Sequence, residues 1–211
     1  MTAALSPTLQ SMLDRFALPL FARPHRAVAR GFLRLGLSAN SVTIVGGLIG
    51  MGALPLLAMQ HYPSALALIL LNRFLDGVDG TMARMVGATD RGAFLDLVCD
   101  FLFYAAVPLG FALADPQAFA LPAAILLASF IGTASTFLAF ASIAAKRGSL
   151  NPHYPNKAIH YLGGLTEGSE TIIAFCAMCL WPQHFAVIAY VFAAACAVTT
   201  VTRLYFGARS L

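Results

Sequence analysis

Four of the five aspartates in "DGVDGTMARMVGATDRGAFLDLVCD" interrupt apolar sequence that otherwise reads as buried helix: Asp76, Asp79, Asp96 and Asp100. Asp76 and Asp79 are three apart, Asp96 and Asp100 four apart, and either spacing puts both members of a pair on one helical face. If the two helices run antiparallel across the short turn at 85–91, the four carboxylates converge in a small volume, where mutual repulsion drives the helices apart. Divalent cations remove that repulsion. Oxygen-only ligands suit hard ions such as Mg²⁺ or Mn²⁺, and four carboxylates can hold two of them close enough to clamp a phosphoryl group during in-line displacement.

The residues between the acids fit a diphosphate. Gly80 and Ala83 lie about one turn from Asp76 and Asp79 and let a ligand approach the backbone, Arg84 can fork onto phosphate oxygens, and Thr89 and Gly92 add a hydroxyl and a further close approach. Small residues at helical spacing also serve helix packing, and for Gly80 and Ala83 both readings stand. Asp90 reads as a helix N-cap or a surface group. A calcium loop does not fit, because "DGVDG" lacks the D-x-[DN]-x-[DN]-G spacing and the closing Glu.

The elements that must position these groups are membrane helices. Of 211 residues 59% are hydrophobic and only 10% charged, where soluble domains carry about a quarter charged. Apolar stretches at 41–60, 64–84, 92–113, 118–145, 158–181 and 185–206 each approach the ~20 residues a spanning helix needs. The expected fold is thus an all-α integral membrane protein of six transmembrane helices, one domain over 1–211 with its bundle at 41–206. The connections "QHYP" at 60–63, "ADPQ" at 114–117 and "WPQH" at 181–184 hold no Lys or Arg, whereas the opposite ends hold every basic residue except Arg73. By the positive-inside rule both termini and the acids face the cytoplasm, as expected of a bacterial-type inner membrane protein.

Residues 1–38 mix Arg15, Arg23, Arg26, Arg30 and Arg34 with Phe16, Phe21, Phe32 and leucines. The spread of arginines and the lack of a short, distinct apolar core argue against a cleaved signal peptide; an amphipathic helix in the interface, facing anionic headgroups, accounts for the mixture. The formal charge of +4 therefore points to a membrane surface and not to nucleic acid. Cys99, Cys176, Cys179 and Cys196 lie in apolar runs without metal-site spacing and read as small core residues.

The stretch "DGVDGTMAR", seven residues, then "GAFLDLVCD" resembles the signature of the CDP-alcohol phosphotransferases, D-x2-D-G-x2-A-R-x8-G-x3-D-x3-D, with a linker of seven where eight is usual. "LSANSVT" before the first span and six spans behind an interfacial helix extend the resemblance over the chain. It implies that Asp76, Asp79 and Asp96 bind metal, and that Asp100 is both a ligand and the base that takes the acceptor proton. It also implies that Asn40, Thr43, Gly80, Ala83, Arg84, Thr89 and Gly92 meet the CDP part of the donor. The implied reaction moves a phosphatidyl group from CDP-diacylglycerol to a small polar alcohol and releases CMP, with two Mg²⁺ or Mn²⁺ ions as cofactors. Expected partners are the CDP-lipid, the alcohol, membrane lipids and a second copy of the chain.

Two clues bear on the acceptor. Lys146, Lys157 and Arg203, if they converge, suit an anionic alcohol such as glycerol 3-phosphate or inositol phosphate; each also suits inner-leaflet snorkelling. Glu167 and Glu170 share a face in the fifth span, where they could receive a serine or amino-alcohol ammonium or pair with Arg73. A cation transporter would also use intramembrane acids, but these cluster at one interface and do not line a path across the membrane.

Overall fold

The computed structural model describes residues 14–147 and 166–210, with side chains from 24 to 147 and 166 to 209. Every regular element among them is helical: α1 Asp14–Arg34, α2 Ala39–Met51, α3 Ala53–Ala58, α4 Tyr62–Val86, α5 Asp90–Ala114, α6 Pro116–Lys146, α7 Gly168–Leu180 and α8 Phe185–Ser210, the last preceded by a 3₁₀ turn at Pro182–His184. Four segments are long and apolar enough to cross a bilayer: Ala39–Ala58, Asp90–Ala114, Pro116–Lys146 and Pro182–Arg209. Their outward faces carry exposed Leu48, Leu121, Ile131, Val191 and Val201, the reverse of a soluble bundle.

α4 coincides with the expected second span and has the length to cross, at 25 residues, but Arg73, Asp76, Asp79 and Arg84 make it too charged to qualify on hydropathy. α7 is the C-terminal half of the expected 158–181 span, whose first part lies outside the described residues, as does Lys157. The described helix starts at Gly168 with Glu167 as its N-cap, so 158–181 is not one continuous helix. The expected first span, 41–60, is present as the single crossing segment Ala39–Ala58, with its hydrogen-bond ladder interrupted at Gly52. Pro55 has no N–H to bond the Met51 carbonyl, and its ring crowds that carbonyl, so the helix ends there and restarts.

α1 lies against α4. Ala29, Val28, Phe32 and Leu33 pack on Phe74, Leu75, Val78 and Met82, and the His25 ring sits on Gly77, where any Cβ would collide with it. The chain leaves α1 through Gly36, whose φ of +78° favours glycine, and enters α2 at Ser38, whose hydroxyl accepts from the Ser41 N–H at 3.1 Å.

Close approach of α2, α4 and α5 depends on a glycine face on α2. A Cβ on Gly47 would lie 2.9 Å from the Cys99 sulfur, and one on Gly50 2.8 Å from both Asn72 and Phe103. The main core fills the bundle with Leu57, Ile69, Phe103, Phe111, Phe175 and Met178. At the end of the three connections without Lys or Arg, Tyr62, Phe111 and Phe185 stack in sequence, with Phe111 and Phe185 centroids 4.4 Å apart. The acids lie at the other ends of α4 and α5, beside the Gly87–Thr89 turn.

Candidate active site

Helical spacing turns Asp76, Asp79, Asp96 and Asp100 into one cavity, shared with Thr43, Gly46, Gly47, Asn72, Arg73 and Cys99. One carboxylate oxygen each from Asp76, Asp79 and Asp96 lies within 4.8 Å of the other two. That spread lets a cation between them reach all three at ordinary oxygen-ligand distances of about 2.0–2.6 Å after small side-chain adjustment. The donor set contains only oxygen, so the residues present fit a hard divalent ion. Asp79 is buried and Asp96 exposed, so the cluster runs from the protein interior to an open edge.

The fourth acid is engaged differently. Arg73 Nη2 donates to Asp100 Oδ1 at 2.6 Å, while Arg73 Nη1 stands 3.6 Å from Asp76 Oδ2. This corrects the expected pairing of Arg73 with Glu167 or Glu170: among the described residues its ion pairs are with Asp100 and Asp76. Glu167 and Glu170 instead form a capping box at the start of α7, the Glu167 N–H donating to Glu170 Oε2 at 3.1 Å.

On the open side of the acids lies a cleft of about 370 Å³. Asn40, Thr43, Gly80, Ala83, Arg84, Thr89 and Gly92 all line it, and Asp79 and Asp96 form its boundary with the metal-binding cluster. Thr89 caps α5, its hydroxyl accepting from the Gly92 N–H at 3.1 Å, so the turn is built to hold both residues at the rim. The ambiguity over Gly80 is resolved, because a Cβ there would meet only the Arg84 guanidinium, at 3.4 Å, and no other helix. Its small size keeps the cleft open. Gly92 is different: a Cβ there would lie 2.9 Å from Asn40 Oδ1, so its smallness seats Asn40. Arg84 is exposed, with Nη2 donating to Thr81 Oγ1 at 3.1 Å, and its guanidinium faces the cleft over Gly80.

Of the residues expected at the acceptor, Lys146 is exposed at the end of α6, and half-buried Arg203 donates from Nη1 to the Thr133 carbonyl at 3.1 Å. Arg203 also lies within electrostatic range of Glu167. A Cβ on Gly168 would stand 3.5 Å from the Tyr104 hydroxyl, which receives a long 3.5 Å contact from Arg73, so the start of α7 is next to the Asp100 end of the cavity. Asn72 and Tyr104 were not expected at the site. Polar side chains in otherwise apolar helices are the signal that could have marked them.

Comparison with known proteins agrees with this geometry. A sequence model of the family described as CDP-alcohol phosphatidyltransferase matches residues 37–202. The inner membrane protein YnjF of Escherichia coli (strain K12) is 50% identical over 196 residues, 93% of this chain and 95% of that protein. A phosphatidylinositol phosphate synthase of Streptomyces avermitilis is 39% identical over 114 residues, 52% of this chain and 46% of that one. The crystal structure of the Mycobacterium tuberculosis phosphatidylinositol phosphate synthase with CDP-DAG bound superposes with a TM-score of 0.69 at 27% identity, covering 88% of this chain and 94% of that one. The same enzyme in complex with manganese and citrate also gives 0.69 at 27% identity, covering 87% and 88%. With the signature intact, its acids gathered and a full-length relative half identical, the chain belongs to the CDP-alcohol phosphatidyltransferase family, as a membrane-embedded transferase of phospholipid biosynthesis whose cofactor is a divalent metal ion.

Proposed function

We propose that this chain transfers the phosphatidyl group of CDP-diacylglycerol to the hydroxyl of a phosphorylated polyol, glycerol 3-phosphate or inositol phosphate, and releases CMP. The observation that carries the reading is the shared boundary between the cleft and the three-acid cluster, formed by Asp79 and Asp96. In this reading Asp76, Asp79, Asp96 and Asp100 would hold two divalent ions, which would neutralise the donor diphosphate and stabilise charge at phosphorus. Arg84 forks onto phosphate oxygens while Asn40, Thr43, Gly80, Ala83, Thr89 and Gly92 shape the nucleotide end of the cleft. Asp100 takes the acceptor proton as the new O–P bond forms; the bond from phosphorus to CMP breaks, and the proton later leaves to water.

The acceptor reading draws on the relatives named as phosphatidylinositol phosphate synthases and on Arg203, which lies within electrostatic range of Glu167 at the start of α7. Arg203 and Lys146 would bind the acceptor phosphate, with Lys157 outside the described residues. Arg203→Ala is expected to raise the acceptor KM about tenfold or more while leaving the donor KM within about threefold. CMP release from CDP-diacylglycerol, measured with Mg²⁺ against a panel of glycerol 3-phosphate, inositol phosphate, serine and amino alcohols, tests the whole proposal. Turnover with serine alone would refute the polyol-phosphate assignment, and no CMP with any acceptor would refute the transfer.

The membrane arrangement follows the same proposal: six spans, with α1 in the interface, both termini and the site cytoplasmic, and a homodimer as the working assembly. The headgroup then reacts at the interface while the acyl chains stay in lipid. A cysteine at Gln60 or Gln183 is expected to react with an impermeant thiol reagent from the periplasmic side only. Labelling from the cytoplasmic side reverses the orientation.

A further inference from the structure

A polar junction lies away from the acids, where the chain enters α7. Thr199 of α8 is 1% exposed, and its hydroxyl gives its own proton to the Ala195 carbonyl, one turn back, at 3.1 Å. Its oxygen is thereby turned to α7, where it accepts the Thr166 N–H at 3.2 Å and the Thr166 hydroxyl at 3.0 Å. Thr166 precedes the N-cap Glu167, so no helical ladder takes up its N–H, and it is buried. The entry to α7 is thus clasped to α8 by one hydroxyl.

Arg203 follows Thr199 by four residues and shares its face of α8. The Arg203 side chain is half-buried, and its Nη1 donates to the Thr133 carbonyl of α6 at 3.1 Å. Glu167, the residue after Thr166, is within electrostatic range of the same guanidinium. The planar cation therefore takes its orientation from two fixed points, a carbonyl on α6 and a carboxylate on α7. Only the second depends on the clasp.

We propose that Thr199 is a positioning residue for the acceptor: by holding Thr166 it sets where Glu167 stands beside Arg203, and so presents the Arg203 guanidinium to the acceptor phosphate already oriented. This rests on the acceptor reading above. A guanidinium binds phosphate as a fork, which requires its plane to be aligned, and a fork aligned before binding loses less freedom when the ligand arrives. Thr199 touches no substrate. It acts through Thr166 and Glu167, one turn of α8 from the arginine it serves.

Thr199→Val keeps the shape of the side chain and removes the hydroxyl, so Thr166 loses both bonds. CMP release is followed in the purified full-length protein with Mg²⁺ and CDP-diacylglycerol, with glycerol 3-phosphate and inositol phosphate each offered as acceptor. Thr199→Val is expected to raise the acceptor KM about fivefold, with kcat and the donor KM within about twofold. Thr199→Ser keeps the hydroxyl and restores the acceptor KM. In an Arg203→Ala background Thr199→Val adds less than about twofold, because the orientation it disturbs is already lost. An unchanged acceptor KM in Thr199→Val, a Thr199→Ser that behaves like Thr199→Val, or the full further rise on top of Arg203→Ala overturns the proposal. A hydroxyl needed for folding alone would lower the unfolding midpoint and leave the acceptor KM where it was. If Thr199→Val does not fold, judged by monodispersity, Thr166→Val decides: it removes one of the two bonds and is expected to raise the acceptor KM about threefold, and an unaltered KM there overturns the proposal. Failure of the acceptor reading is distinct, because the unaltered protein would then release no CMP with either polyol phosphate.

Discussion

Asp100→Asn is expected to slow CMP release by about 10²-fold or more, the range for a lost general base, and to stay slow as Mg²⁺ is raised. The amide keeps the size of the side chain and an oxygen that can still accept from Arg73, so the 2.6 Å contact and the packing around it persist. Donor binding should therefore be retained. Asp79→Asn removes a charge from a buried member of the three-acid cluster, which lowers metal affinity, and excess Mg²⁺ should recover part of its activity. Metal titrations of both variants, with donor binding measured alongside, make the comparison. Equal rescue of the two would make Asp100 merely a ligand and send the search for a base to His153 and His160, outside the described residues.

Chelation should have an effect of similar size. Among the described residues four carboxylates line one cavity with a single guanidinium among them and no other cationic side chain. Without divalent ions the donor diphosphate would enter a strongly negative site, so turnover in excess chelator is expected to fall at least about 10²-fold and to return on adding Mg²⁺ or Mn²⁺. Stability offers a second measurement: an ion at about 100 times its Kd adds roughly 2.7 kcal/mol to the native state, so the unfolding midpoint should drop on chelation. Full turnover in chelator would exclude the metal-dependent mechanism.

The donor side of the site was legible in the sequence because its residues are local. Asp76, Asp79, Gly80, Ala83 and Arg84 lie within three turns of α4, and Thr89, Gly92 and Asp96 follow directly across the turn, so helical periodicity alone puts them together. Asn40 and Thr43 came from the resemblance and join the same cleft. The Arg73–Asp100 bond was not legible, since it spans 27 residues and depends on the relative rotation of two helices. Glu167 and Glu170 misled because their spacing was placed in the middle of a span, whereas at a helix start the same spacing is a capping box. The interruption of the helix ladder at Gly52 was announced by Pro55, and the apolar window reads one span across it, as the segment Ala39–Ala58 is.

The link between Arg73 and Asp100 also bears on how the chain enters the bilayer. α4 carries four formal charges, and each near the centre of an inserting helix costs about 2.5–3.5 kcal/mol on the translocon scale, so alone it is a poor candidate for partition into lipid. The partner that neutralises its innermost charge is on α5, the next helix to be synthesised, across a connection of only three residues. The pair can therefore form as soon as the hairpin exists. Biogenesis should then treat α4 and α5 as one insertion unit, with α4 waiting at the membrane surface or in the translocon until α5 emerges, and a truncation after Gly87 should leave α4 untranslocated where one after Asp115 does not.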